Sequence, residues 1–242
     1  MPSPRGTDHA DGTAGLPAAL LDLARRLPAP PVLRRHCQGL AVLDAIAAED
    51  SVDRYYSFDA AWGTGEQLAS MDDGSGNSWS ITFTPAGAWL RGFDHESPVS
   101  PYAEPFDLDW RAAVPAPLRP AATEPAFTDG DLPLLTLACW WLDADAGGGG
   151  PAEPRWHPVR FRRSVPSDVD DGSRWLLAEL DTDPDAYVRF AAEYHETDLD
   201  RADVAHVLAL RPLDEGLVRR LNPARTLAGL AGDVARIGYP GP

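Results

Sequence analysis

Residues 92–97 carry the side chains most suited to chemistry, because Asp94 and Glu96 place two carboxylates around His95. Carboxylates beside an imidazole can transfer protons or bind a metal ion. If this segment is extended, Asp94 and Glu96 share one face and His95 lies on the other. The Ser-Pro pair that follows also suits a capped loop after a strand. Two interpretations therefore stay open, a small hydrolase or metal-dependent enzyme and a structural turn.

Two other segments resemble known sites without completing them. Residues 181–185 place acids at alternate positions, like the start of a calcium loop, but alanines occupy its sixth and twelfth positions. Glu193 and Glu196 flank His195, yet their spacing differs from the Glu-x-x-His pairs of di-metal bundles. We interpret the first segment as a helix cap and the second as a solvated acidic helix face.

Residues 155–163 form the basic, aromatic stretch of the chain. On a strand, Arg160 and Arg162 would share a face and could bind an anion or an acidic partner. Pairing with the protein's own carboxylates is the favoured interpretation, because the chain has many of them.

The chain has eight tryptophans, which is more than usual. Most of them are expected in the core, since buried aromatic rings remove large apolar areas from water. Others are expected to anchor a binding surface, where Trp, Tyr and Arg concentrate. The candidate binding residues are therefore Trp62 and Trp79 together with Asp94, His95 and Glu96. No catalytic residue and no metal ligand is assigned.

The chain is strongly acidic, with 37 Asp and Glu against 21 basic residues and a formal charge of −16. Every basic residue is arginine, which excludes mechanisms that need lysine, such as a P-loop or a pyridoxal Schiff base. Nucleic acid repels such a protein, because binding there depends on neutralising phosphates. We therefore expect no nucleic-acid partner and favour a basic protein partner. Taken by itself, however, the charge is explained first by solubility, which ranks ahead of partner binding.

The elements that must position these residues indicate an α+β fold class, with a central antiparallel β-meander flanked by N-terminal and C-terminal helices. Leucine spacings of three and four predict helices over 16–27 and 32–50. Alternation between glycine-rich turns predicts a meander of strands at 67–71, 79–83 and 88–93, the second of them half-buried. Further strands are predicted at 132–142, 156–163 and 175–180, and helices after Asp183 and over 203–210, 213–221 and 226–237.

The predicted organisation is a tail over residues 1–31, containing the first short helix, and one α+β domain over 32–240. Residues 1–14 are polar and aperiodic, which predicts disorder. The first residues lack the apolar stretch of a signal peptide, and no apolar run is long enough to span a membrane. A cytoplasmic location without a membrane partner is therefore expected. Cys37 and Cys139 are too few for a disulfide framework, and no cofactor is expected.

Four short motifs follow one another within residues 56–102. They are Ala69-Ser70-Met71, Gly74-Ser75-Gly76, Gly92-Phe93-Asp94-His95-Glu96-Ser97 and Ser100-Pro101-Tyr102. This succession resembles an uncharacterised family of bacterial proteins, and residues 212–240 are similar to it more faintly. The resemblance implies a coherent fold over about residues 35–240. It implies no catalytic residue, because that family has no established activity.

Three functions are compatible with these patterns. The favoured one is a non-enzymatic intracellular binding protein, for example an immunity or antitoxin-like partner that covers the basic surface of a nuclease. The second is an enzyme that uses Asp94, His95 and Glu96, and the third is a ligand-binding regulatory domain. Perturbed acids in a deep pocket would favour the enzyme, whereas an acidic surface with exposed aromatic residues would favour partner binding.

Overall fold

Helix α2 (Pro30–Ala47) packs on the central sheet in a computed structural model that describes residues 15–48, 50–144 and 155–241. Prolines occupy its first two positions, where the amide hydrogen that proline lacks would have no helical partner. The predicted helix over 32–50 is confirmed with slightly earlier ends. Its inward stripe is confirmed as well, since Leu33, Leu40, Leu43 and Ile46 are all buried.

The strands are β1 (Tyr56–Gly63), β2 (Glu66–Asp72), β3 (Ser78–Thr84), β4 (Gly87–Phe93), β5 (Thr128–Asp129), β6 (Leu132–Pro133), β7 (Leu137–Leu142) and β8 (His157–Pro158). The main sheet is antiparallel and has the order β1-β2-β3-β4-β7-β8, in which β2, β3 and β4 form the predicted meander and β1 extends it by one strand. A separate two-stranded ribbon contains β5 and β6.

Helices precede the sheet and follow it, and the α+β class is confirmed. Besides α2 they are α1 (Ala18–Arg26), the short α3 (Arg119–Ala122), α4 (Pro184–Tyr194), α5 (Arg201–Leu208), α6 (Glu215–Leu221) and α7 (Ala231–Ile237). The predicted helix within 16–27 corresponds to α1, whose Leu20 and Leu23 join the main core. The predicted cap of α4 is present, since the Asp183 side chain accepts a hydrogen bond from the Asp185 amide. The tail predicted to be disordered, residues 1–14, lies outside the described residues.

Side chains cover both faces of the sheet, which the alternation in β3 did not indicate. One face joins the helices in the main core, and the other supports a second core built around Trp89 and Trp110, whose rings stack at 5.9 Å. Ser80 and Thr82 are therefore 0% and 2% exposed, and the prediction of a half-buried β3 is wrong. The reason is that residues 95–135, which carry no long apolar pattern, fold across that face.

Three strand predictions need correction. Residues 175–180 form turns and a 3₁₀ helix (Ala178–Leu180), because their amides bond locally, as Leu176 does to the Gly172 carbonyl. Within 156–163, only β8 pairs. The predicted strand at 132–142 is divided into β6 and β7, and β1, the strand nearest α2, was not predicted at all. None of the described helices is long and apolar enough to cross a membrane.

Candidate functional site

The predicted segment Asp94-His95-Glu96 forms the turn that leaves β4. The Asp94 carboxylate is buried and accepts a hydrogen bond from the Glu96 amide at 3.0 Å. Its own amide donates to the Thr136 hydroxyl at 3.2 Å. The Glu96 side chain is 85% exposed, and its carboxylate is 3.9 Å from His95 Nε2. The structure therefore brings the three residues together, with Asp94 turned inward and Glu96 turned to solvent.

A chain of hydrogen bonds joins His95 to the turn between β2 and β3. The Asn77 side-chain oxygen accepts from the His95 amide at 3.0 Å and lies 2.8 Å from His95 Nδ1. The Asn77 amide group in turn donates to the Asp73 carboxylate at 2.7 Å. Because Asn77 uses its nitrogen toward Asp73, its oxygen faces His95, so Nδ1 carries the proton and donates. The predicted segment is thereby fixed beside Asp73.

The two predicted tryptophans lie apart from each other. Trp79 is 2% exposed and packs in the main core, with its ring 6.1 Å from that of Tyr56. Trp62, near the far end of β1, is 37% exposed and stacks on Phe127. The seven residues of extended chain from Tyr56 to Trp62 span about 20 Å. Trp62 and the Asp94 segment therefore belong to opposite ends of the sheet.

Three aspartates from two segments and one tyrosine from a third form a surface that we call the acidic face: Asp53, Asp72, Asp73 and Tyr194. Asp53 ends a 3₁₀ turn, Asp72 and Asp73 begin the β2–β3 turn, and Tyr194 ends α4. Within the described part of the chain, none of the three aspartates forms an ion pair. The neighbouring Arg54 guanidinium is bound to Asp233 at 2.6 Å.

Tyr194 lies beside Tyr55, whose carbonyl accepts a hydrogen bond from the Asp72 amide at 3.0 Å. Its side chain is 46% exposed, and its ring contacts those of Tyr55 and Phe190, with ring centroids 4.9 and 5.2 Å apart, respectively. Partial burial raises the pKa of Tyr194, and the negative charges of Asp44, Asp73, Asp53 and Asp72 raise it further. Arg91 of β4 is buried, and burial lowers its pKa to about 10. The negative charge of Asp72 acts in the opposite direction and raises this pKa. The acidic face thus combines an exposed aromatic ring with a negative potential.

Behind this face lies a buried carboxylate, Asp44 of α2, which is 0% exposed. One oxygen accepts from the amides of Tyr55 and Tyr56, both at 2.8 Å. The other accepts from the Tyr187 hydroxyl at 2.8 Å and lies 3.4 Å from His195 Nε2. Four donors around one carboxylate satisfy the hydrogen bonds that its burial would otherwise cost.

His195 was interpreted as part of a solvated acidic face, and the structure corrects this. Its side chain is 12% exposed and caps the carboxyl end of α4, where it faces Asp44 on one side. It also lines a cavity of about 140 Å³ between α2, α4 and α6. One signal could have found the pair, because Asp44 lies four residues after Leu40 on the apolar stripe of α2, and a carboxylate there needs partners.

Three other features raised by the sequence are the basic stretch, a possible metal site and the two cysteines. Arg162 donates to the Glu104 carbonyl and lies 3.6 Å from its carboxylate, so this arginine pairs within the chain, as favoured from the sequence. Over residues 15–48, 50–144 and 155–241, no group of three or more His, Cys, Asp and Glu side chains is placed to hold a metal ion. Cys37 and Cys139 are buried free thiols, and burial raises the pKa of both.

Comparison with protein-family models, with curated proteins and with solved structures finds no match to this chain. The function must therefore be inferred from the geometry of the chain's own residues.

Proposed function

We propose that this protein binds a basic protein partner through the acidic face and does no chemistry on it. The observation that carries the proposal is the convergence of Asp53, Asp72 and Asp73 on the half-exposed ring of Tyr194, with no ion pair among the described residues to offset the aspartates. An immunity or antitoxin-like protein would use such a surface to cover the basic surface of a nuclease.

The physical support comes from charge and from the aromatic ring. A negative potential speeds the encounter with a positive surface and disfavours acidic proteins. A tyrosine that is partly exposed provides a rigid contact whose hydroxyl can bond to the partner, and tyrosine is enriched among residues that dominate binding energy. Val52, which is 83% exposed and precedes Asp53, adds apolar surface beside the same charges.

In this proposal the turn at Asp94-His95-Glu96 supports the acidic face. Its bonds through Asn77 fix the position of Asp73, and the exposed Glu96 adds negative charge at the same end of the sheet. The buried Asp94 carboxylate bonds to the amide of its own turn, which favours the structural interpretation of this segment over the enzymatic one. The proposal includes a cytoplasmic location and no nucleic-acid partner, because a charge of −16 repels phosphate.

The test is a pull-down from the native host with the tagged chain at low and high salt, followed by mass spectrometry. The double variant Asp53→Asn, Asp72→Asn removes two charges from the acidic face while keeping side-chain size. The matched control Asp109→Asn, Asp181→Asn removes two charges from exposed positions away from the face. Asp181 lies beyond the other end of α4, which is about 15 Å long.

We expect one basic protein to be retained by the wild type and by the control, to be lost at high salt, and to be lost from the acidic-face variant at low salt. Equal retention by the two double variants would show that net charge alone attracts the protein. Retention of no specific protein by the folded wild type would count against the proposal.

A further inference from the structure

The cavity beside His195 has the form of a small-molecule site. Its volume is about 140 Å³, and its walls are mainly aliphatic, with Leu43, Ile46, Leu199 and Leu221 among them. An aliphatic cavity of about 150 Å³ holds a benzene molecule in another protein. The volume therefore suits a ligand of the size of a single six-membered ring.

Two of the polar side chains that line this cavity already have hydrogen-bond partners within the protein. The Asn222 side-chain nitrogen donates to the Ile46 carbonyl at 2.8 Å, and its oxygen accepts from the Ala224 amide at 3.0 Å. The Thr197 hydroxyl donates to the His195 carbonyl at 3.0 Å. The imidazole of His195 is the third polar side chain of the lining, and it is the ionisable one.

The buried carboxylate determines which hydrogen bond His195 can offer. Asp44 accepts from two backbone amides and from Tyr187, as an ionised carboxylate does, so His195 Nε2 carries the proton that faces it. The second ring nitrogen, Nδ1, then has a free lone pair and points away from Asp44. No hydrogen-bond partner for Nδ1 is present among the described residues. In this tautomer the Nδ1 lone pair can accept a hydrogen bond from a ligand.

We propose that this cavity binds a small apolar molecule that carries one hydroxyl group, with the ring or alkyl part against the leucines and the hydroxyl donating to His195 Nδ1. A phenol or a cyclic alcohol of six or seven heavy atoms fits these demands. The site is separate from the acidic face and does not depend on the partner proposed for that face.

The test uses phenol and toluene as probes of nearly equal size, of which only phenol carries a hydroxyl. The ring-nitrogen resonances of the histidines are followed by NMR during both titrations, and His195→Gln assigns the signal. We expect phenol to shift His195 Nδ1 and to bind about twofold to tenfold more tightly than toluene, as one neutral hydrogen bond provides. Equal affinities, an unmoved His195 signal, or no binding of phenol would overturn the proposal.

A pair of neighbouring alanines on α4 provides the matched variants. Ala191 is 1% exposed and lines the cavity, whereas Ala192 is exposed to solvent. Ala191→Leu fills the cavity and is expected to abolish phenol binding, and Ala192→Leu is expected to leave it unchanged. Retention of phenol by a folded Ala191→Leu variant would also overturn the proposal. If Ala191→Leu does not fold, the wild-type titrations decide.

Discussion

Two regions on either side of Tyr55 use carboxylates in opposite ways. On the inner side, Asp44 is completely buried and accepts from the Tyr55 amide and three further donors. On the outer side, the ring of Tyr55 contacts Tyr194, around which Asp53, Asp72 and Asp73 converge without ion pairs among the described residues. The inner carboxylate is satisfied by donors from distant parts of the fold. Asp72 and Asp73 accept hydrogen bonds within their own turn, and Asp53 accepts none among the described residues, so this carboxylate is left to solvent or to a partner.

The difference separates a structural role from a binding role. Removal of a buried carboxylate leaves its donors without partners, which costs stability. Removal of an exposed carboxylate costs the fold little, because water replaces it. The same substitution at the two regions should therefore affect different properties, unfolding at Asp44 and partner binding at the acidic face.

The largest effect is expected for Asp44→Ala. The change leaves four donors without their acceptor, and we expect the free energy of unfolding to fall by about 3–5 kcal/mol. Urea denaturation followed by tryptophan fluorescence measures it. Asp53→Ala is the matched control and should leave the urea midpoint almost unchanged, and similar losses for the two variants would contradict the comparison.

The next effect is expected for Tyr187→Phe, which removes a buried hydroxyl that donates to Asp44 at 2.8 Å. A hydrogen bond to a charged group contributes about 1.5–3 kcal/mol, and we expect a loss of that size in urea denaturation. Tyr194→Phe removes a hydroxyl at the exposed acidic face and serves as the control. A larger loss of unfolding free energy for Tyr194→Phe than for Tyr187→Phe would contradict the structural role assigned to the buried region.

Alkaline pH should lower the stability of the fold through Tyr187. Burial and then Asp44 raise the pKa of Tyr187 well above its usual value, so the folded state holds this proton more tightly than the unfolded state. The resulting stability is complete below pH of about 10 and is lost as the pH rises above that value. Urea midpoints measured from pH 8 to 11 should fall above pH 10, and they should fall less steeply in Tyr187→Phe. Parallel curves for the two proteins would contradict this assignment.

The smallest effect is expected for the titration of Tyr194. In Asp53→Asn, Asp72→Asn two of the negative charges that raise its pKa are absent, so the pKa should decrease while partial burial still holds it above the usual value. Phenolate absorbance, taken as a difference from the same titration of Tyr194→Phe, measures the change. An unchanged pKa would mean that the aspartates do not act on this ring.

Much of the fold could be predicted, because α2 and the meander have strong periodic patterns and turn residues that agree with them. The patterns failed where tertiary packing decides. Residues 175–180 have apolar side chains that favour a strand, but their amides bond locally in turns and a 3₁₀ helix, as Leu176 does to the Gly172 carbonyl. Ser80 and Thr82 looked solvent-facing, since nothing in residues 95–135 indicates that this segment covers them.

The candidate surface could be predicted only in part. The turn at residues 94–96 was selected for its chemistry and lies beside Asp73, yet the acidic face is assembled from three segments far apart in sequence. Its members are ordinary acids in turns, and only the fold brings them around Tyr194. Asp44 could have been noticed as an acid on an apolar stripe, but its partners at residues 55, 56, 187 and 195 could not have been identified from spacing.

The most direct test of the central claim is amide hydrogen exchange of the wild-type chain with and without the protein retained in the pull-down. The account predicts the strongest added protection in the segments that carry the acidic face, at residues 51–55, 72–77 and 192–196. Added protection centred on residues 62–65, in the turn between β1 and β2 at the opposite end of the sheet, or no added protection anywhere, would contradict it.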